Sequence, residues 1–137
     1  MAAGDLHNNI KVTPAIDPAS PATTGTITGD NVVDREFHPD LEYVISAGAQ
    51  TAGTLTVTPV VMHGTVSGTL TSAPDTALFN TEASAALDGT AGADSVSKIG
   101  YKGANRFVRL DLIVANAATG IYSAVAIQSG GRKRPDA

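Results

Sequence analysis

The chain has 137 residues, a formal net charge of -4 and no cysteine. Its length suits one domain, its acidic balance argues against sequence-independent nucleic-acid binding, and the lack of cysteine excludes disulfides and thiolate zinc sites. Aromatic residues make up only 4% of the chain and there is no tryptophan, so we expect a thin core built from Val, Ile and Leu.

The first 30 residues predict an extended N-terminal arm. Asn8 to Val12 ends in an alternation of polar and apolar residues, as a short strand does, and Pro14, Pro18 and Pro21 then disfavour a helix. Three arrangements are open for this arm. It pairs with the sheet of its own domain, reaches a neighbouring subunit, or is disordered when free.

The next two predicted strands each have one apolar face. Leu41, Tyr43 and Ile45 share that face in the first strand, and Leu55 and Val57 share it in the second. Threonines occupy the opposite face of the second strand. This pattern is typical of an antiparallel sheet with one face in water.

Pro59 marks an irregularity in the second of these strands. Because proline cannot donate a ladder hydrogen bond, we expect an edge strand, a bulge or a change of sheet at this position. Val60, Val61 and Met62 then break the alternation. This break favours a bulge, although a buried apolar run has the same pattern.

Residues 70–94 predict a long loop with at most one or two helical turns. Asp75 suits the N-cap of a short helix, and residues 82–87 include good helix formers. Thr81 and the turn signal at Asp88-Gly89 oppose a longer helix.

The clearest strand signal runs from Arg106 to Val114. Turn signals precede and follow this strand, and a half-apolar strand with Val125 and Ile127 on its predicted core face comes next. Residues 98–128 therefore predict a β-hairpin that extends into a three-stranded meander. The core face of the clearest strand holds only apolar residues, which are Val108, Leu110, Leu112 and Val114.

Together these elements predict an all-β fold, a single-domain antiparallel β-sandwich over residues 31–128. The extended arm occupies residues 1–30, and the long loop or short helical insertion lies near residues 70–94. Residues 129–137 form a basic C-terminal tail. Its cluster from Arg132 to Arg134 is either solvated or in contact with nucleic acid or an acidic surface.

No catalytic or metal-binding arrangement is predicted. His7, His38 and His63 are far apart and match no zinc spacing. The acidic residues around Arg35 lack the spacing of an EF-hand, and the glycine-containing turns form no phosphate-binding motif. We therefore expect no enzyme, no metal and no cofactor. The absence of a signal-peptide pattern and of a long apolar run predicts a soluble protein made in the cytoplasm.

Arg109 and Asp111 lie two positions apart on the strand face opposite the predicted core. Side chains at this spacing are near enough to meet each other or a cross-strand partner. They form either a surface pair or a docking patch.

Four segments resemble a family of small virion structural proteins in tailed bacteriophages and phage-like particles. They are Asp5–Val12, Leu41–Ile45, Asn80–Ala83 and Ser97–Leu110, and they occur in the family's order. The resemblance spans residues 5–128, and its most specific pieces are Lys-Ile-Gly-Tyr and Arg-Phe-Val-Arg-Leu. The chain differs from the family in its Arg-Lys-Arg-Pro end and in a shorter, less acidic segment at residues 63–69.

The resemblance implies a capsid decoration (cement) protein on the outer surface of a tailed-phage head, with no catalytic residues. The implied partners are the major capsid protein and further copies of the chain around a capsid symmetry axis. Direct nucleic-acid binding and membrane association are not expected. The candidate contact residues lie in the arm and on one strand face, and they are Leu6, His7, Asn8, Asn9, Ile10, Lys11, Arg109 and Asp111.

Two other functions stay open. One is a head spike base, neck or tail component of the virion, which copy number would separate from decoration. The other is a carbohydrate- or ligand-binding β-sandwich module. Such a module usually stacks its ligand on aromatic side chains, and this chain has three Tyr, three Phe and no Trp.

Overall fold

The computed structural model describes residues 7–19, 25–48, 55–89, 95–115 and 121–130. Their strands form two antiparallel sheets that pack face to face, so the predicted β-sandwich is confirmed. The strands in chain order are β1 (Lys11–Ala19), β2 (Gly25–Ile27), β3 (Val33–Asp34), β4 (Asp40–Ala47), β5 (Leu55–Val66), β6 (Thr69–Ser72), β7 (Leu87–Gly89), β8 (Ser95–Tyr101), β9 (Phe107–Ala115) and β10 (Tyr122–Ser129).

The two sheets have four and six strands. The four-stranded sheet has the order β1, β10, β4, β8, and the six-stranded sheet has the order β2, β9, β5, β6. In the six-stranded sheet β3 also pairs with β9, and β7 also pairs with β5. Most neighbouring strands are therefore distant in sequence, so the fold depends on long-range pairing.

The core lies between the two sheets. Alternation predicts the inner face of β4 and β9 correctly, because all of their predicted core residues are buried. In β5 the predicted core residue Val57 is buried, and the side chain of Leu55 lies outside the described part of the chain. All three tyrosines of the chain are also buried. They add aromatic volume to a core that composition alone assigns to aliphatic residues. The largest fully buried apolar side chains are Tyr43, Tyr101, Tyr122, Ile45, Ile99, Leu110, Leu112, Val57, Val61 and Val108.

The predicted hairpin and meander over residues 98–128 are wrong. Three strands do occupy this region, but β8 pairs with β4 and β9 pairs with β5, in the opposite sheet. The chain returns to the four-stranded sheet in β10, which lies between β1 and β4. Alternation and turn signals identify strands but not their partners, so a crossing between sheets has the same local pattern as a hairpin.

The predicted core face of the last strand, β10, is also wrong. Val125 is 38% exposed and Ile127 is half-buried, because both point away from the six-stranded sheet. The other face of β10 is the buried one. Its residues are Tyr122, Ala124, Ala126 and Gln128.

Part of the predicted arm belongs to the sandwich. Residues 11–19 form β1 and pair with β10, the first of the three arrangements considered, and Ala15 and Ile16 are buried. The sandwich therefore includes β1 and does not start at residue 31. Residues 1–6 and 20–24 of the predicted arm lie outside the described residues, as do residues 131–137 of the predicted basic tail.

Pro59 lies in the central strand β5, between the stretches where one side of this strand pairs with β7 and with β6. One side of β5 pairs with β9, with Pro59 opposite Leu112. On its other side β5 pairs with β7 at Leu55–Val57 and with β6 from Met62 onward. Pro59 falls between these two pairings, so its missing N–H interrupts neither of them. Just beyond it, the Glu82 carboxylate accepts a hydrogen bond from the Val61 N–H at 2.8 Å.

The region predicted as a long loop, residues 70–94, contains more β structure than expected. It includes most of β6, a 3-10 helix at Asp75–Ala77 and the short strand β7. The helical turn is confirmed, but Asp75 is its first residue and not its N-cap, which is Pro74 and makes no side-chain capping hydrogen bond. Residues 90–94 lie outside the described part of the chain.

Connections within the chain cover parts of both long edges of the sandwich. At one edge, residues 28–32 join the sheets, because the Asp30 N–H donates to the Ala15 carbonyl at 2.9 Å and the Gly29 N–H donates to Asp111. At the other edge, the Phe79 N–H donates to the Gly100 carbonyl at 2.9 Å. The covered stretches of edge resist pairing with further strands.

Candidate interaction surface

The described residues hold no cluster of three or more His, Asp or Glu side chains that could bind a metal ion. Over the same ranges, no helix is both long and apolar enough to span a bilayer. His63 is engaged with the core, because its Nδ1 lies 2.8 Å from the hydroxyl of the buried Tyr101.

Arg35 organises one end of the sandwich. Its guanidinium donates to the carbonyls of Gly103 and Asn105 at 2.8 Å each and to the carbonyl of Pro39, and it stacks over the Tyr101 ring at 4.6 Å. Burial lowers the pKa of the Arg35 guanidinium from its ordinary value. The loop that carries the chain from β8 to β9 is thus held by a cation whose donors are used internally.

An exposed ion-pair cluster lies at the same end. Arg106 donates to both carboxylate oxygens of Asp34, at 2.8 and 2.7 Å, and to Glu36 at 2.6 Å. The hydrogen bonds from Arg106 lower the pKa of the Asp34 carboxyl, with a small contribution from Lys11. All three side chains of the cluster are nearly half exposed. Such pairs contribute little to stability.

The N-terminal candidate contacts lie at this end too. His7, Asn8 and Asn9 form one exposed helical turn, Ile10 is half-buried, and Lys11 begins β1 opposite Gln128. Leu6 lies outside the described residues. The structure therefore places the start of β1 at the same end of the sandwich as the loop between β8 and β9, so two segments that carry the family resemblance share that end.

Arg109 and Asp111 meet each other, as their spacing predicts. Arg109 Nε and Asp111 Oδ1 are 2.8 Å apart, and the Gly29 N–H also donates to Oδ1 at 2.9 Å. Because residues 28–32 cross over this part of β9, Asp111 is only 7% exposed. The pair lies on the six-stranded sheet, apart from the N-terminal candidates, and it anchors a connection within the chain.

The outer face of the four-stranded sheet carries a continuous set of apolar side chains. The pairing places Val12 beside Ile127, and Val125 between Pro14 and Val44. Directly paired residues point to the same side of a sheet, so these five side chains form one patch. Val12 is 57% exposed. We call this set, Val12, Pro14, Val44, Val125 and Ile127, the apolar strip.

Sequence reasoning missed the apolar strip because it placed Val125 and Ile127 in the core. The available signal was on the other face of the same strand, which reads Tyr122, Ala124 and Ala126. Alanines on the same strand face as a tyrosine fit a core in which the neighbouring strands contribute the large side chains. Hydrophobicity alone ranks valine and isoleucine above alanine and so selects the wrong face.

The fold of the chain is similar to those of proteins with known structures. No protein-family model matches the chain, and no curated protein matches it. The PBSX exported protein XepA is similar over 94% of this chain and 39% of its own, with a TM-score of 0.53 and 14% identity. A chain in the structure of infectious bursal disease virus, Gx strain, is similar over 92% of this chain and 34% of its own, with a TM-score of 0.53 and 15% identity.

A third similar structure is the Clostridium thermocellum xylanase 10B, in its CBM22-1 and GH10 modules with xylohexaose. It has a TM-score of 0.49 and 15% identity, over 93% of this chain and 26% of its own. The chain thus spans less than half of each of these proteins. At such low identities the likeness to XepA and the virus chain shows a shared β-sandwich fold.

Proposed function

We propose that the chain is a non-enzymatic virion component, a decoration protein that binds the outer surface of a tailed-phage capsid and stabilises the contacts between capsomers. The observation that carries the proposal is the apolar strip on the outer face of a sandwich whose edges are partly covered from within. A side chain such as Val125, 38% exposed in the free protein, gains hydrophobic stabilisation when a partner covers it.

The sequence resemblance supports the same role, since it implies a small structural part of the phage head. The fold is compatible with it, because related sandwiches occur in the PBSX exported protein XepA and in the structure of infectious bursal disease virus. The partners are then the major capsid protein and neighbouring copies around a symmetry axis. Many weak, repeated contacts that exist only in the assembled shell stabilise that shell by mass action.

The test uses phage particles that lack the protein. Purified protein added to them should bind at a saturating, symmetry-related copy number and raise the temperature at which the particles break. Binding at one vertex or on the tail alone would replace decoration with the spike base, neck or tail role. No binding anywhere on the particle would overturn both.

Two matched variants connect binding to the apolar strip. Val125→Asp places a charge in the strip, and Ile113→Asp places the same charge on the outer face of the six-stranded sheet, where Ile113 is 44% exposed. Both positions point outward, so both variants should keep the fold, which circular dichroism and the unfolding midpoint check. We expect Val125→Asp to lose binding and Ile113→Asp to retain it. The opposite result would assign docking to the six-stranded sheet.

A further inference from the structure

Phe79 is an exposed aromatic side chain on the same side of the molecule as the apolar strip. It is 71% exposed and lies against Gly100 of β8, the strand at the far edge of the four-stranded sheet from β1. Gly100 pairs with Glu42, an outward residue of β4, which places Phe79 on the outer face. A Cβ atom at position 100 would lie 2.6 Å from Glu42 Oε2 and 2.9 Å from Phe79 Cδ2, so a side chain there would displace the Glu42 carboxylate and the ring.

The backbone around Phe79 holds it in place. The Phe79 N–H donates to the Gly100 carbonyl at 2.9 Å, and the Lys102 N–H donates to the Ala77 carbonyl at 2.8 Å. Leu78, the preceding residue, bridges to Tyr101 and is buried at the edge of the core. The backbone that carries the ring is therefore fixed before any partner arrives, which lowers the ordering cost of binding.

Two lysines lie near Phe79, although the whole chain has a formal charge of -4. The Lys102 Nζ lies 5.4 Å from the centre of the ring, a cation–π contact. Lys98 is exposed on the outer face of β8 and pairs with Val44 of the apolar strip. An acidic group, Glu42, also lies here, because its Oε2 is 2.6 Å from the position that a Cβ atom of residue 100 would take. An aromatic side chain with two lysines near it complements an apolar depression that has carboxylates at its edge.

We infer that Phe79 is the anchor residue of the capsid-docking surface, and that the capsid protein offers it an apolar socket flanked by carboxylates that face Lys98 and Lys102. This inference rests on the proposed function and names the chemistry of its partner. Exposed, rigid aromatic residues that enter a pocket supply a large share of the binding energy at protein interfaces. The apolar strip extends the same contact across the sheet towards β1.

The test measures how two variants, each with one phenylalanine replaced, bind to particles that lack the protein. Phe79→Ala removes the proposed anchor, and Phe37→Ala removes a control side chain that is 52% exposed in the loop before β4. We expect Phe79→Ala to weaken binding by roughly 30-fold or more, and Phe37→Ala to bind within about twofold of wild type, as non-anchor contacts do. Equal binding by both variants would overturn the inference while leaving decoration in place.

Charge reversal tests the carboxylates of the socket. Lys98→Glu combined with Lys102→Glu should weaken binding and remove much of its dependence on salt, because the attraction to opposite charges is lost. Unchanged affinity with an unchanged salt dependence would remove the carboxylates from the proposal. Binding of these variants is measured on particles to which the wild-type protein binds. If wild type itself does not bind, the proposed function fails and the anchor role fails with it.

Two other occupants of the Phe79 surface are separable outcomes. Analytical ultracentrifugation of the free protein measures self-association through this surface. Binding to a panel of immobilised oligosaccharides measures whether a sugar stacks on the ring. If Phe79→Ala abolishes self-association or sugar binding and leaves particle binding unchanged, the inference is overturned. If it affects particle binding alone, the inference is supported.

Discussion

The strands β9 and β10 both alternate between two faces, yet they use their hydrophobic residues in opposite ways. In β9 four aliphatic residues, Val108, Leu110, Leu112 and Val114, are buried in the core, and only Ile113 among its large aliphatic residues faces outward. In β10 Val125 and Ile127 face outward, while alanines and a glutamine face the core. Period-2 alternation therefore identifies a strand, but the more hydrophobic face is not always the inner one.

Size matching with β4 explains the inner face of β10. In each of three successive inward pairs a large side chain is opposite a small one: Tyr122 with Ala47, Ala124 with Ile45, and Ala126 with Tyr43. Protein interiors are close-packed, so the volume of Tyr43 and Ile45 leaves room only for alanine across the pair. The outward valine and isoleucine of β10 are then free to form the apolar strip.

The largest expected effect is in β9. Leu110→Ala should reduce the free energy of unfolding by about 2–5 kcal/mol, because it removes a fully buried side chain and leaves a cavity. Chemical denaturation measures this, with Ile113→Ala on the outer face as the control. A denaturation midpoint equal to that of wild type would show that Leu110 is not in the core.

Enlarging the inner face of β10 tests size matching directly. Ala126→Leu should destabilise the protein by about 1–3 kcal/mol, since the added atoms meet a filled core beside Tyr43. Val125→Leu, one position away on the outer face, is the control and should be close to neutral. If Ala126→Leu is stabilising, the interior has free volume beside Tyr43 and the explanation from size matching is wrong.

The buried polar residue of β10 should also matter. Gln128 is 1% exposed, and its side-chain amide donates to the carbonyls of Asp34 and His38, each at 3.1 Å. Gln128→Leu replaces the amide with an apolar side chain of similar size and leaves both carbonyls without this donor, and we expect a loss of about 1–2 kcal/mol. Thermal and chemical unfolding should both show this loss of stability. A gain in stability would mean that the two carbonyls find other donors.

Removing one hydroxyl from β10 should act in the opposite direction. The buried Tyr122 hydroxyl has no hydrogen-bond partner among the described residues, so Tyr122→Phe should stabilise the fold by roughly 1 kcal/mol. Tyr101→Phe is the matched control, since it loses the contact with His63 and should destabilise by a similar amount. Loss of stability in Tyr122→Phe would reveal a polar partner for this hydroxyl.

The smallest expected effect is on the outer face of β10. Val125→Thr keeps the β-branched shape and should change the free energy of unfolding by no more than about 0.5 kcal/mol. The same variant should weaken binding to the capsid if the apolar strip docks there. A large loss of stability in the free protein would return Val125 to the core.

The local patterns along the chain could be predicted, because they depend on neighbouring residues. They include the alternation of β4 and β9, the helical turn at Asp75 and the contact between Arg109 and Asp111. The candidate surface could not be predicted in the same way. Phe79 and Gly100 are separated by the whole of β7 and part of β8, and they meet only because residues 77–79 run along the edge of the four-stranded sheet.

By itself, the sequence determined that this chain is an all-β sandwich, because its alternation of apolar and polar residues buries one face of each strand. The tertiary structure alone decided which strands pair, where the chain crosses between sheets, and which face of β10 points inward. These choices depend on the volumes of side chains that are far apart in sequence, such as Tyr43 and Ala126. The outward position of Val125 and Ile127, and with it the apolar strip, follows from that packing.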